Sequence, residues 1–163
     1  MIVSEITTKM IEYSKGNLHD INHFMKVYAY AKTIGECERL DKNTQTVLEV
    51  AAIIHDIACP LCREKYGNTN GKYQEKEGEI LVTEFLKDTK CSEEFINRVI
   101  FLVGHHHTLN DITGFDYQIL IEADYIVNAD ESNYSKENIN NTMERIFKTP
   151  TGIALLKSIY GLK

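Results

Sequence analysis

Apolar residues recur at steps of three and four along nearly the whole chain, and no stretch alternates with period two long enough to make a strand. A period near 3.6 gathers such residues on one face of a helix, so the pattern commits the chain to helices packed on helices. Ile6, Met10, Ile11 and Tyr13 predict an N-terminal helix ending near Gly16. A second helix is expected from near Asp20 or Asn22 to Gly35, with Ile21, Phe24, Met25, Tyr28 and Ala31 on one broad face. Asp41 and Asn43 can cap a third, which carries Val47, Leu48, Ala51, Ala52, Ile54 and His55 and stops just beyond Asp56, ahead of Pro60. From Cys59 to Tyr73 the pattern breaks, and Gly67-Asn68-Thr69-Asn70-Gly71 is turn chemistry. Helical spacing resumes through Ile80, Leu81, Phe85 and Leu86, and Ser92 with Glu93 and Glu94 opens a helix bearing Phe95, Ile96, Val99, Ile100 and Val103. After a loop from Leu109 to Asp116 comes a helix through Ile119, Leu120, Ala123 and Val127, then a polar stretch from Asp130 to Asn141. Thr149-Pro150 starts a last amphipathic helix through Leu155, Leu156 and Ile159. The expectation is an all-α, single-domain helical bundle of six or more helices spanning residues 1–163.

Composition narrows the class. A chain of 163 residues, 43% hydrophobic and 26% charged, is long enough to bury one core. Its formal charge of −6 makes it a poor match for polymeric nucleic acid or an anionic membrane. No apolar run approaches the ~20 residues of a bilayer span, and Met1 to Lys15 lacks a signal-peptide core, so the expected address is the cytoplasm. There the four cysteines (Cys37, Cys59, Cys62, Cys91) read as free thiols in or near the core; the single C-x-x-C pair has no second pair to complete a zinc site.

The six histidines fall in three short stretches: His19 and His23, His55, and His105-His106-His107. His23 shares a face with Val27, Tyr30 and Ile34, and His55 follows the stripe of Ala51 and Ala52. Taken singly, each reads as a satisfied core histidine more readily than as a ligand. Asp124 sits three residues past Ile121 and three before Val127 on an apolar helix, where a carboxylate costs several kcal/mol unless it is paired or metal-bound. Glu122 falls on a different face and reads as the solvated acid. Three consecutive helical residues sweep about 200°, so the histidine triplet cannot all face one cleft. Extending the stripe of Ile96, Val99, Ile100 and Val103 reaches His106 and His107, leaving His105 aside, and His19 reads as part of a helix start. His23, His55, Asp56 and Asp124 together make a mixed nitrogen and oxygen set suited to Fe, Mn, Co, Ni or Zn.

The order of these residues resembles the HD superfamily of metal-dependent phosphohydrolases, over a match running from Asp20 to Val127. The carrying segments are HDINHFMKVYAYA, AAIIHDIA, GHHHT and LIEADYIVNA, and GKYQEKEGEILVTEFL is similar to a subgroup of small bacterial members. The resemblance implies His23, His55, Asp56 and Asp124 as metal ligands, one or two divalent transition ions (Mg also admissible), and His106 and His107 as the usual histidine pair. It further implies hydrolysis of a small phosphate ester or nucleotide by a metal-activated water. Asp56 would accept a proton, and His106 and His107 would assist the phosphoryl group or bind a second ion. Many members carry a further histidine between the His-Asp pair and the later ones. Ala58 to Phe101 holds none, so Glu77 is the substitute named for a second ion, with Glu75 and Glu79 as neighbours. Arg63, Lys65 and Lys72 are read as loop cations, either solvated or bound to further phosphates. Two other readings stand beside hydrolysis: a di-iron oxygenase, which needs a second metal, and a non-catalytic metal- or nucleotide-binding module.

Overall fold

The structure, a computed structural model, describes residues 2–163, and among these it contains nine helices and no strand. They are α1 (Ile2–Tyr13), α2 (Leu18–Cys37), α3 (Lys42–Ile54), α4 (Cys59–Tyr66), α5 (Gly71–Leu86), α6 (Glu93–Val103), α7 (Phe115–Glu131), α8 (Lys136–Ile146) and α9 (Pro150–Tyr160). Local chemistry sets most of the starts. The side chains of Asn17, Asp41, Asn70, Ser92, Ser135 and Thr149 each accept a hydrogen bond from a backbone N–H in the first turn that follows. Each supplies an acceptor to an amide that the helix cannot satisfy itself.

Helix α3 is the centre of the bundle. All eight residues from Val47 to Ile54 are buried, Glu49 included, and α2, α6, α7 and α1 pack around it. Helix α7 buries twelve of its seventeen residues and lies against both α2 and α3. The site residues come from α2, which carries His23, from α7, which carries Asp124, and from the turns at the ends of α3 and α6.

Four local expectations are corrected. Helix α2 begins at Leu18, because Asn17 rather than a later residue is the cap. The broken stretch after Asp56 holds α4, whose eight residues with only Cys59 and Cys62 buried are too few to display a period; Gly67, at φ 69°, ends it in the left-handed region. The polar stretch from Asp130 contains the start of α8, which has Ile139 as its single fully buried residue. Glu122, expected in solvent, is completely buried. The thiol expectation is met in part: all four cysteines are free, Cys59 and Cys62 buried, Cys91 partly buried and Cys37 exposed.

Contrary to the expectation of no span-like run, Lys42–Tyr66 is long and apolar enough to cross a membrane by length and composition. Its apolar window is 72% buried inside the fold and the helix is interrupted after Ile54, which is how a core segment looks.

Candidate metal centre

Three imidazoles are held in one orientation by their Nδ1 atoms. His23, projecting from α2, has Nδ1 2.7 Å from Glu131 Oε2 at the end of α7. His55, the residue that closes α3, places Nδ1 2.8 Å from the carbonyl of Ala52. His106, in the turn after α6, does the same to the carbonyl of Val103 at 2.8 Å. A carboxylate or carbonyl oxygen only accepts, so in each ring Nδ1 donates and the neutral imidazole leaves Nε2 with a free lone pair.

Those lone pairs converge on carboxylates. His23 Nε2 lies 3.2 Å from Asp56 Oδ2, 3.2 Å from Asp124 Oδ1 and 3.2 Å from His55 Nε2. His55 Nε2 is 3.5 Å from Asp56 Oδ1 and 3.4 Å from Asp124 Oδ1. His106 Nε2, buried and 3.4 Å from Asp56 Oδ1, has no hydrogen-bond partner. Acceptors facing acceptors at these distances repel unless a cation sits among them. Ligand bonds of ~2.0–2.2 Å put neighbouring donor atoms ~3.0–3.5 Å apart around one ion, so the spacing and the orphaned nitrogen both fit a divalent metal. Two sets of donor atoms lie within 4.8 Å of one another: His23, His55 and Asp56, and Asp56, His106 and His107. Asp56 belongs to both. Asp124 closes the first set through His23 and His55, and its own Oδ1 accepts a 2.9 Å hydrogen bond from Asn128 Nδ2.

Without a metal, protons serve as the cation. Burial disfavours the imidazolium of His23, but hydrogen bonds to Asp124 and Asp56 and their charges outweigh it and lift its pKa to about 11. Burial would raise Asp56, yet the charge of His55 and the nearby rings of His106 and His23 hold it well below the usual carboxylate range. Asp124 is likewise pulled below that range, against burial, by His23 and His55. His106 is raised because Asp56 outweighs burial. His107 goes the other way, to about 4, through desolvation of its ring and the adjacent His106.

The remaining candidates separate cleanly. The ring of His107 packs 4.0 Å from that of His106, while its backbone N–H donates to Glu75 Oε1 at 3.0 Å. Gly71 makes room there, since a Cβ on it would stand 2.8 Å from the His107 side chain. Thr108 Oγ1 also donates to Glu75, so that acid tethers the histidine loop to α5. Glu77 is in neither donor set; it accepts from Lys65 Nζ at 2.6 Å and Tyr66 Oη at 2.5 Å. His105 stacks on Phe101 and has Nδ1 2.8 Å from the Phe101 carbonyl, and His19 is exposed on α2. Arg63 and Lys65 are not loop cations: they lie on α4, Arg63 forked onto Asp20 at 2.7 and 2.8 Å and Lys65 on Glu77. Sequence reasoning passed over Asn128 and Glu131. Both were accessible to it, four and seven residues beyond Asp124 on the same face of α7.

An all-α bundle that turns three imidazole nitrogens and two carboxylates toward one another defines a protein equipped to hold a divalent cation. The HD domain model matches residues 20–146, most of the chain, and the chain belongs to that family, whose domains bind divalent metals. A crystal structure described as a predicted HD superfamily hydrolase from an uncultured Thermotogales bacterium shares the fold. It has a TM-score of 0.70 and 23% identity over 97% of this chain and 84% of that one. No curated protein matches the chain.

Proposed function

We propose that this chain is a metal-dependent phosphohydrolase acting on a small phosphate ester or nucleotide. The observation that carries the reading is the convergence of His23, His55, Asp56 and Asp124, with the unpartnered Nε2 of His106 beside them. His23, His55, Asp56 and Asp124 would hold a divalent ion, which would supply Lewis acidity for lowering the pKa of a water and polarising a phosphoryl oxygen. Asp56, the least buried of the four, takes up the proton released by the attacking water. His106 is fixed by its bond to Val103; in its imidazolium form, which the Asp56 carboxylate favours, its Nε2–H neutralises charge on the phosphoryl group or gives its proton to the leaving oxygen. His107 lies alongside at the cavity edge as its helper. The sharing of Asp56 by two donor sets favours an alternative use of His106 and His107, as holders of a second ion. A di-iron oxygenase would depend on that same second set.

A cleft of about 760 Å³ opens on His106, His107 and Asp124, a size suited to a small molecule. The charge of −6 disfavours polymeric nucleic acid and anionic membranes, and four free thiols fit the reducing cytoplasm. The test is elemental analysis of the purified protein, followed by phosphate release from a panel of esters with Mn, Co, Ni, Fe, Zn or Mg. Metal-dependent release that chelation stops is the expected result. Folded, metal-loaded protein that releases phosphate from no ester would overturn it.

A further inference from the structure

Helix α8 carries two stripes. Ile139, Met143 and Ile146 pack on the core, while Asn138, Asn141, Thr142 and Arg145, at steps of three, one and three, line the cleft that reaches the histidine and aspartate cluster. Across it stand Tyr125, Asn128 and Asp124 of α7. Tyr125 Oη donates to Asn138 Oδ1 at 2.6 Å, which fixes that amide and leaves its Nδ2 as a donor. The guanidinium is what distinguishes this wall. Arg63 is forked onto Asp20 and Arg98 onto Asp116, whereas among the described residues Arg145 has no ion-pair partner. Among the described residues, and apart from the cluster's own Asp124, His106 and His107, it is the one charged side chain lining the cleft.

A planar five-donor fork, flanked by amides and unspent on any carboxylate, suits a phosphate or carboxylate that accepts two hydrogen bonds at once. We infer that the α7–α8 cleft selects a substrate carrying a second anionic group, held by Arg145 with Asn138 and Asn141, while its phosphoryl group lies at the metal cluster. This rests on the phosphohydrolase reading for the reaction, and adds to it the chemical class of the substrate. Arg145 acts here as a specificity residue, remote from the bond that breaks.

The test compares kcat/KM of the metal-loaded full chain within matched pairs: a sugar phosphate against its bisphosphate, and glycerol phosphate against phosphoglycerate. The two pairs distinguish phosphate from carboxylate as the second group. Wild type is expected to favour the doubly anionic member of at least one pair, and R145Q to lower that preference about 10- to 100-fold, with R145K between them. No preference in wild type, or a preference that survives R145Q, overturns the inference. If no ester is hydrolysed, the reaction reading fails by itself and calorimetry decides on the cleft. Pyrophosphate, but not inorganic phosphate, should then bind about tenfold or more weakly to metal-loaded R145Q. Equal weakening of both ligands, or of neither, counts against the assignment.

Discussion

The carboxylate of Glu131 accepts a 2.7 Å hydrogen bond from Nδ1 of His23, and Lys26 Nζ lies 3.6 Å from its other oxygen. Glu131 thereby fixes the ring's tautomer and aims Nε2 at Asp56 and Asp124, without reaching the cluster itself. Outer partners of this kind set ligand basicity and orientation. Glu131→Ala is expected to weaken metal affinity about 10- to 100-fold, measured by competition with a chromophoric chelator. Its helical circular dichroism should match wild type. Unchanged affinity would show that α2 alone positions His23.

The protonation of His23 gives the metal-free protein a distinct pH dependence. Its folded pKa of about 11 stands above the ordinary 6.5, so its contribution is complete below 6.5 and is lost as pH rises to about 11. Across that window the folded state holds one proton more than the unfolded, and stability falls by up to about 1.4 kcal/mol per pH unit. Asp56 and Asp124, both lowered, act on the acid side: their contribution is present above the usual carboxylate range and lost as pH drops through their folded values. Melting in chelator should therefore weaken steadily from pH 6.5 to 9.5. With Mn or Co present the metal replaces the proton, binding tightens with pH, and the gain in Tm over the chelated protein should grow. A gain that shrinks with rising pH would contradict this proton–metal exchange.

How much of this was legible follows residue by residue. The periods that placed Phe24, Val47, Ile54, Val99 and Leu120 inside were plain, because each helix repeats its apolar face over several turns. Helix α4 has too few residues for a period, and α8 gives its second face to polar side chains, so neither declared itself. At the site, spacing could aim His23, His55, Asp56, Asp124 and His106 inward, since each extends or ends an apolar stripe. Glu122 could not be placed that way. It sits on a different face of α7 from Asp124, and that face turned out to be covered by the chain leading into α9, a contact formed by residues 26 and 27 positions later. Glu77 failed for a similar reason: whether an acid meets a metal or a lysine depends on which helix packs against it, here α4.

Glu122 also makes a prediction about the fold apart from the site. Fully buried, it accepts hydrogen bonds from Gln118 Nε2, the backbone N–H of Lys148 and Thr149, and Thr149 Oγ1. Gly152 lies so close that a Cβ there would come within 2.0 Å of Glu122 Oε2. Glu122→Ala removes the acceptor for several buried donors and should cost about 3 kcal/mol or more in urea unfolding. Gly152→Ala should destabilise as well, by steric displacement of the same carboxylate. Metal content per folded chain should stay at the wild-type value in both variants. A loss of metal would mean that the α7–α9 junction and the cluster are mechanically coupled.

His106 and His105 are neighbours in sequence with opposite surroundings, and that contrast tests the proposed chemistry. His106 is buried with Nε2 unpartnered beside Asp56, whereas His105 stacks on Phe101 away from the cluster. If His106 stabilises or protonates the phosphoryl group, His106→Gln should lower kcat about 10²-fold or more on the best ester found, with KM changed less. Metal held by His23, His55, Asp56 and Asp124 should persist in that variant, read by elemental analysis, while Asp56→Ala should lose both metal and turnover. His105→Gln leaves those donors in place and should alter kcat by no more than about twofold. The stoichiometry of metal then separates the two uses of His106. A drop from two ions to one in His106→Gln assigns the ring to a second metal, and one ion retained with kcat lost assigns it to the reacting phosphoryl group.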